Sequence, residues 1–155
     1  MQISDPNKAR IEEYSKLLIE SYKRMTGRNL LEYDPQTVTA SEALNRAPFV
    51  LLSHGTEPDP VLNYGNNAAL ALWEMSWEEF TSTPSRLTAE AALQSQREQL
   101  LEDTQRQGYS DGYYGIRISK SGIRFEIQNV LLWNIVDDAG EFRGQAAVFT
   151  KWERK

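Results

Sequence analysis

The sequence predicts an α+β fold, a five-stranded antiparallel sheet with helices over one face, preceded by an N-terminal amphipathic helix. Three observations predict it. Residues 108–155 read as three consecutive strands, with Lys120-Ser121-Gly122 and Asp137-Asp138-Ala139-Gly140 between the alternating or apolar runs. Gly-containing polar turns between such runs are the hairpin signal. Two shorter apolar runs, 49–52 and 61–64, flank a segment dense in breakers, His54 to Pro60. Helical patterns fill the space between these two groups of strands. Strands at both ends with helices between them imply an antiparallel sheet that buries one face under those helices.

Taken in order, Asp5-Pro6 starts the first helix, with Asp as N-cap and Pro at the first helical position. Ile11, Tyr14, Leu18, Tyr22 and Met25 recur at spacings of three and four, and Gly27 supplies the C-cap. That stripe packs either on the domain that follows or on a second copy of the chain; the pattern leaves both open. Residues 30–47 form a connector in which Ser41-Glu42-Ala43-Leu44 begins a short helix. The domain boundary follows, giving an N-terminal extension over 1–47 and the sheet domain over 48–155.

After the first hairpin, Asn66 or Asn67 caps a helix ending near Trp73. Ser76 with Glu79 three residues on forms a capping box, and Thr83-Pro84 ends that turn of helix. Thr88 is expected to cap a longer helix, with Glu90 in its first turn and Ala89, Leu93, Leu100, Leu101 and Thr104 on its buried face. Gly108 stops it. Three strands then close the chain, the last running from Phe142 to Trp152.

Composition excludes several functions. A net charge of -5 disfavours a nucleic-acid binder, because phosphate contacts need a basic surface. There are no cysteines, which removes disulfides, thiolate metal ligands and a cysteine nucleophile. No apolar run approaches the roughly 20 residues of a membrane span, and the opening residues do not read as a signal peptide. The expected location is cytoplasmic. His54 is the single histidine, so no multi-histidine metal site can form, and its neighbours Ser53 and Asp59 do not make a catalytic relay by spacing alone. No phosphate-binding glycine loop is present. Glu78-Glu79 and Asp137-Asp138 are adjacent carboxylates in a cap and a turn, not an acid–base pair.

Several separated motifs occur in an order that resembles the PAS domain: Asn63-Tyr64-Gly65-Asn66-Asn67-Ala68-Ala69, Met75 to Phe80, Ser121-Gly122 before the long strand, and Asp137 to Gly140 after it. The chain is more similar still to the MEKHLA domain family, a PAS-like group, through Leu52 to Pro60, Pro84-Ser85-Arg86-Leu87, Gly115 to Ser119, Trp133-Asn134 and Gly144-Gln145-Ala146-Ala147. The resemblance implies a sensory or interaction module, often dimeric, with a ligand sometimes held between sheet and helices. It implies no activity. In plants the MEKHLA domain ends homeodomain–leucine zipper regulators, but this chain has no homeodomain or basic region, so DNA binding is not carried over. Haem ligation has no histidine donor on the helices, and cysteinyl-flavin chemistry has no thiol; the cofactor is left unspecified.

The long strand poses the two functional questions. An alternation of period two puts Phe125, Ile127, Asn129, Leu131, Trp133 and Ile135 on the face toward the helices, with Val130 and Leu132 on the other. Asn129 is then a polar group in an apolar row, needing a backbone, water or ligand partner. Trp73, Trp77, Phe80, Tyr113, Phe125, Asn129 and Trp133 are the ligand-pocket candidates; the same aromatics also suffice to fill the core. Ile11, Tyr14, Leu18, Tyr22, Met25, Val130 and Leu132 are the candidates for an interaction surface. The expected partner is a second copy of the chain, with a small-molecule ligand or another protein as further readings. A constitutive dimerisation scaffold with a filled core is the alternative function. A small enzyme ranks last because no catalytic constellation emerges.

Overall fold

The computed structural model describes residues 6–89 and 94–155. In chain order its elements are α1 (Pro6–Thr26), α2 (Ala40–Arg46), β1 (Val50–His54), β2 (Leu62–Gly65), α3 (Asn67–Trp73), α4 (Trp77–Phe80), a 3-10 turn (Ser85–Thr88), α5 (Gln94–Gln107), β3 (Tyr109–Ile118), β4 (Arg124–Val136), β5 (Phe142–Phe149) and β6 (Lys151–Arg154). The sheet is antiparallel in the order β2-β1-β5-β4-β3, with β6 also paired to β4. The N-terminal hairpin joins the closing meander through β1 and β5, in register from Val50↔Phe149 to His54↔Gln145.

Helix ends follow the local chemistry. Gly27, at φ 73, closes α1 and donates its N–H to Lys23 O at 2.8 Å. Thr39 with Glu42, and Ser76 with Glu79, form reciprocal capping boxes at α2 and α4. Asp5, expected as the cap of α1, lies outside the described residues, as do Glu90 and Leu93. The helix expected after Thr88 is α5, described from Gln94, but Thr88 does not cap it: Thr88 ends the 3-10 turn, and Ala89 is extended and bridges Arg117 of β3. On α5 Thr104 is buried, but Leu101 is 59% exposed. Asp103 turns inward in its place and accepts a hydrogen bond from Ser110 Oγ at 2.7 Å. The helix rests on β3 partly through polar contacts, so an apolar stripe was the wrong guide to its buried face.

The largest departure is in β4. Phe125 and Ile127 pack with Trp73 and Phe80, whereas Leu131, Trp133 and Ile135 pack with Leu18 and Tyr22 of α1. An unbroken alternation would have put all five on one face. Asn129 breaks it, adopting the left-handed conformation at φ 51. Against β3 the register passes from Gly115↔Ile127 to Tyr113↔Val130, so β4 carries one extra residue there. This is a β-bulge, and each residue beyond it exchanges faces. Asn is among the few L-residues that adopt this conformation at low cost.

The neighbouring strand yields along the same line. Gln128↔Lys151 and Leu131↔Val148 leave Thr150 opposite Asn129, and Thr150 is where β5 gives way to β6. The expected single strand 142–152 is therefore two. Phe149 faces α3, and Trp152 packs its ring 6.2 Å from that of Phe149 instead of turning to the opposite face. The sheet is thus covered on both sides, by α3 and α4 on one face and by α1 with Leu44 of α2 on the other.

Candidate functional site

Two regions follow from this frame, one on each face. The α3 face is positioned by Asn66, which is fully buried. Its Oδ1 accepts from the N–H groups of Ala69 and Leu51, both at 3.1 Å, and its Nδ2 donates to Leu44 O at 3.0 Å and Phe49 O at 2.9 Å. One side chain thus caps α3 and ties it to β1 and to the end of α2. Glu74, left-handed at φ 62, ends α3 and leaves Trp73 facing the sheet.

Trp73 is the centre of this face. Its ring meets Phe125 at 5.3 Å, Phe80 at 6.0 Å and Phe149 at 6.5 Å, all edge to face. Phe80 lies directly over Gly65, where a Cβ would come within 2.7 Å of the ring. Tyr113 packs at the margin of this cluster, with the Arg117 guanidinium 5.6 Å from its ring centre. One polar atom on this face, Trp73 Nε1, is buried with no hydrogen-bond partner among the described residues, as is the Tyr64 hydroxyl on the α1 side. A cavity of about 170 Å³ lies at the rim, lined by Leu72, Ile123, Phe125, Trp152, Glu74 and Arg154, among others.

The α1 face is different in kind. Trp133 is buried against Tyr22, rings 5.0 Å apart and edge to face, and donates its indole N–H to Ser21 Oγ at 3.0 Å. Ser53 donates to Asn63 Oδ1 at 2.6 Å, and the Tyr14 hydroxyl stands 2.9 Å from Ser53 Oγ and donates to the same Asn63 oxygen at 3.2 Å. Burial raises the Tyr14 phenol above its ordinary value of 10.0, against the pull of the Ser53 and Asn63 hydrogen bonds, and keeps it protonated at neutral pH. Burial likewise pushes the Tyr64 phenol up. Glu12 reaches from α1 to the start of α2, its carboxylate accepting the N–H groups of Ala40 and Ser41 at 2.9 Å each. Burial would raise its carboxyl, but those backbone donors outweigh it and hold the group below its ordinary 4.5. Beside α1 runs an open groove of about 1270 Å³, between α1, Trp77 of α4 with Thr81 just after it, and Asp137, Asp138 and Arg143 around the β4–β5 turn.

The seven pocket candidates are therefore divided. Trp73, Phe80, Phe125 and Tyr113 come together on the α3 face. Trp133 lies on the opposite face under α1, and Trp77 packs with that side through Tyr64, at 5.7 Å between rings. Asn129, expected to point inward, is exposed at the bulge. The interaction candidates divide as well. Ile11, Tyr14, Leu18, Tyr22 and Met25 pack on the chain's own sheet, while Val130 and Leu132, expected on the outer face, lie in the cluster beneath α3. Ser21, Ser53, Asn63 and Asn66 carry the polar contacts and were missed as such; only the capping position of Asn66 was readable in advance. The Ser53–His54–Asp59 set does not assemble: His54 Nδ1 lies 2.9 Å from Gly55 O and Asp59 pairs with Arg86. Among the described residues no three His, Cys, Asp or Glu side chains are grouped to hold a metal, and no helix is long and apolar enough to cross a membrane.

Comparison with known proteins places this geometry. The model of the MEKHLA domain matches residues 12–154, nearly the whole chain. No curated protein sequence matches it significantly. Among solved structures, a PAS domain from Colwellia psychrerythraea superposes with a TM-score of 0.56 at 13% identity, over 70% of this chain and 89% of that one. The light-state dimer of the fungal blue-light photoreceptor Vivid gives a TM-score of 0.58 at 15% identity, over 86% and 90%. A PAS domain from a two-component sensor histidine kinase gives 0.54 at 19% identity, over 75% and 93%. At these identities the likeness is one of fold, and the fold is PAS-like.

Proposed function

We propose, from the premise that the chain belongs to the MEKHLA domain family, that it is a PAS-like interaction module that signals through protein contacts on the α1 side of its sheet. One observation carries this reading. The space beneath α3, where the sequence left open either a ligand or a filled core, is occupied by the edge-to-face rings of Trp73, Phe80, Phe125 and Phe149. The cavity at its rim is about 170 Å³, below the roughly 300–1,000 Å³ of most small-molecule sites. The α1 side offers both a helix held by a few specific polar contacts and a much larger groove beside it. A partner that engages α1 better in one position than another shifts the population of that position, and so transmits a signal. The dimer formed by the fungal photoreceptor of like fold supports a second copy as that partner.

A second reading is favoured by a specific atom. Trp73 Nε1, buried without a partner, is what a small ligand with one hydrogen-bond acceptor would satisfy. Native mass spectrometry of the purified protein, followed by denaturing extraction, separates the two. The interaction reading expects the mass of the chain, or of its multiple, with nothing retained. A stoichiometric small molecule released on denaturation would replace it with the ligand reading.

A further inference from the structure

We propose that the solvent side of α1 is self-complementary and packs antiparallel against α1 of a second copy, each helix lying along the other's groove. The proposal rests on the interaction reading and moves the contact away from the apolar stripe, because Leu18 and Tyr22 are buried on the chain's own sheet. What α1 presents to the groove is Arg10, Glu13, Lys16 and Glu20, all exposed. Their signs alternate along the axis.

A two-fold contact sets residue i of one copy against j of the other, and j against i. With the axis beside residue 15, Arg10 and Glu20 stand about 7.5 Å to either side of it, at about 1.5 Å per residue. Antiparallel packing then puts Arg10 against Glu20 of the second copy and Glu13 against Lys16 of the second copy, and each pairing occurs twice. A parallel arrangement in register would set like charges together. A segment of a single sign would meet both signs along the wall, which makes a second copy the better occupant.

The charges are free to do this. Arg10 and Glu20 have no ion pair among the described residues, and Glu13 and Lys16 meet only at 4.0 Å within α1. On the far wall Asp138 is taken by Arg24 at 3.1 Å and Asp137 by Arg143 at 3.4 Å. Leu17, half-buried between the charged positions, and Trp77 across the groove give the contact an apolar centre. Exposed pairs are individually weak, so the charges set orientation while the apolar centre contributes to affinity.

Light scattering on the full chain over a concentration series, with circular dichroism to verify the fold, tests it. The wild type is expected to dimerise. Arg10→Glu alone and Glu20→Arg alone each convert two attractions into repulsions, and each is expected to weaken the dimer about tenfold or more. An equimolar mixture of the two variants restores every opposite-sign pairing and is expected to recover the dimer. A dimer unmoved by either variant, or a mixture that stays as weak as its components, overturns the antiparallel contact and leaves the interaction reading standing. A wild type that remains monomeric at every concentration also overturns it, leaving only a different protein as partner for the interaction reading. A retained small molecule in the extraction experiment instead removes the reading itself.

Discussion

The two faces of one sheet are held by different physics. Beneath α3 the contacts are ring on ring, and the single buried indole N–H there has no partner. Beneath α1 the contacts are stitched by hydrogen bonds: Trp133 to Ser21, Tyr14 to Asn63, Ser53 to Asn63. Apolar packing is non-directional and tolerates small slides, whereas a hydrogen bond fails beyond a few tenths of an ångström. The α1 face therefore fixes the register of a helix on a sheet through side chains along the interface itself, whereas α3 is fixed at its start by Asn66 and its interface with the sheet is filled by rings. Directional contacts that can be made or lost as a set suit a docking surface better than a greasy core.

The bulge keeps those two faces distinct, so breaking it gives the largest effect. Asn129→Val places a β-branched residue at φ 51 and is expected to cost about 1–3 kcal/mol in urea denaturation. Asn129→Gly, which adopts that conformation freely, is expected to be nearly neutral. Equal losses from both would mean that the Asn129 side chain, not its backbone, holds the bulge.

A matched pair of substitutions sharpens the comparison. Trp73→Phe and Trp133→Phe remove similar volumes from fully buried sites, but only Trp133 donates a hydrogen bond. Trp133→Phe is expected to be the more destabilising by about 1 kcal/mol. Equal costs by equilibrium unfolding would show that the Ser21 contact does not distinguish the faces.

The smallest effect is electrostatic. The Glu12 carboxyl is held below its ordinary 4.5, so its link to α2 contributes stability that is fully present above that value and lost as pH falls through the folded value. Glu12→Gln is expected to lower the melting temperature at pH 7 and to approach the wild type at an acid pH below the folded value of Glu12, where that carboxyl is neutral as well. A gap that is the same at both pH values would assign the contribution to shape instead of charge.

Much of the fold was readable because its signals are local. The capping box at Ser76, the asparagine cap of α3 and the Gly27 stop each depend on residues within one turn of helix. The candidate site was readable only in its parts. Trp73, Phe80 and Phe125 pack together, but Trp133, grouped with them by a period of two that the bulge interrupts, lies on the other face. No local pattern around Gln128-Asn129-Val130 marks a bulge, since Asn is also compatible with an uninterrupted strand. Asp103 was missed for a related reason, because its partner Ser110 lies on the following strand.

The sequence by itself determined the family, the order of helices and strands, and the absence of any thiol chemistry, because short-range backbone preferences and composition decide those. Tertiary structure alone decided which face of β4 each side chain occupies and what covers it. One residue in a left-handed conformation reverses every side chain beyond it, and strand β4 adopts that conformation beside a β3 register that shifts with it and a neighbouring strand that breaks at Thr150.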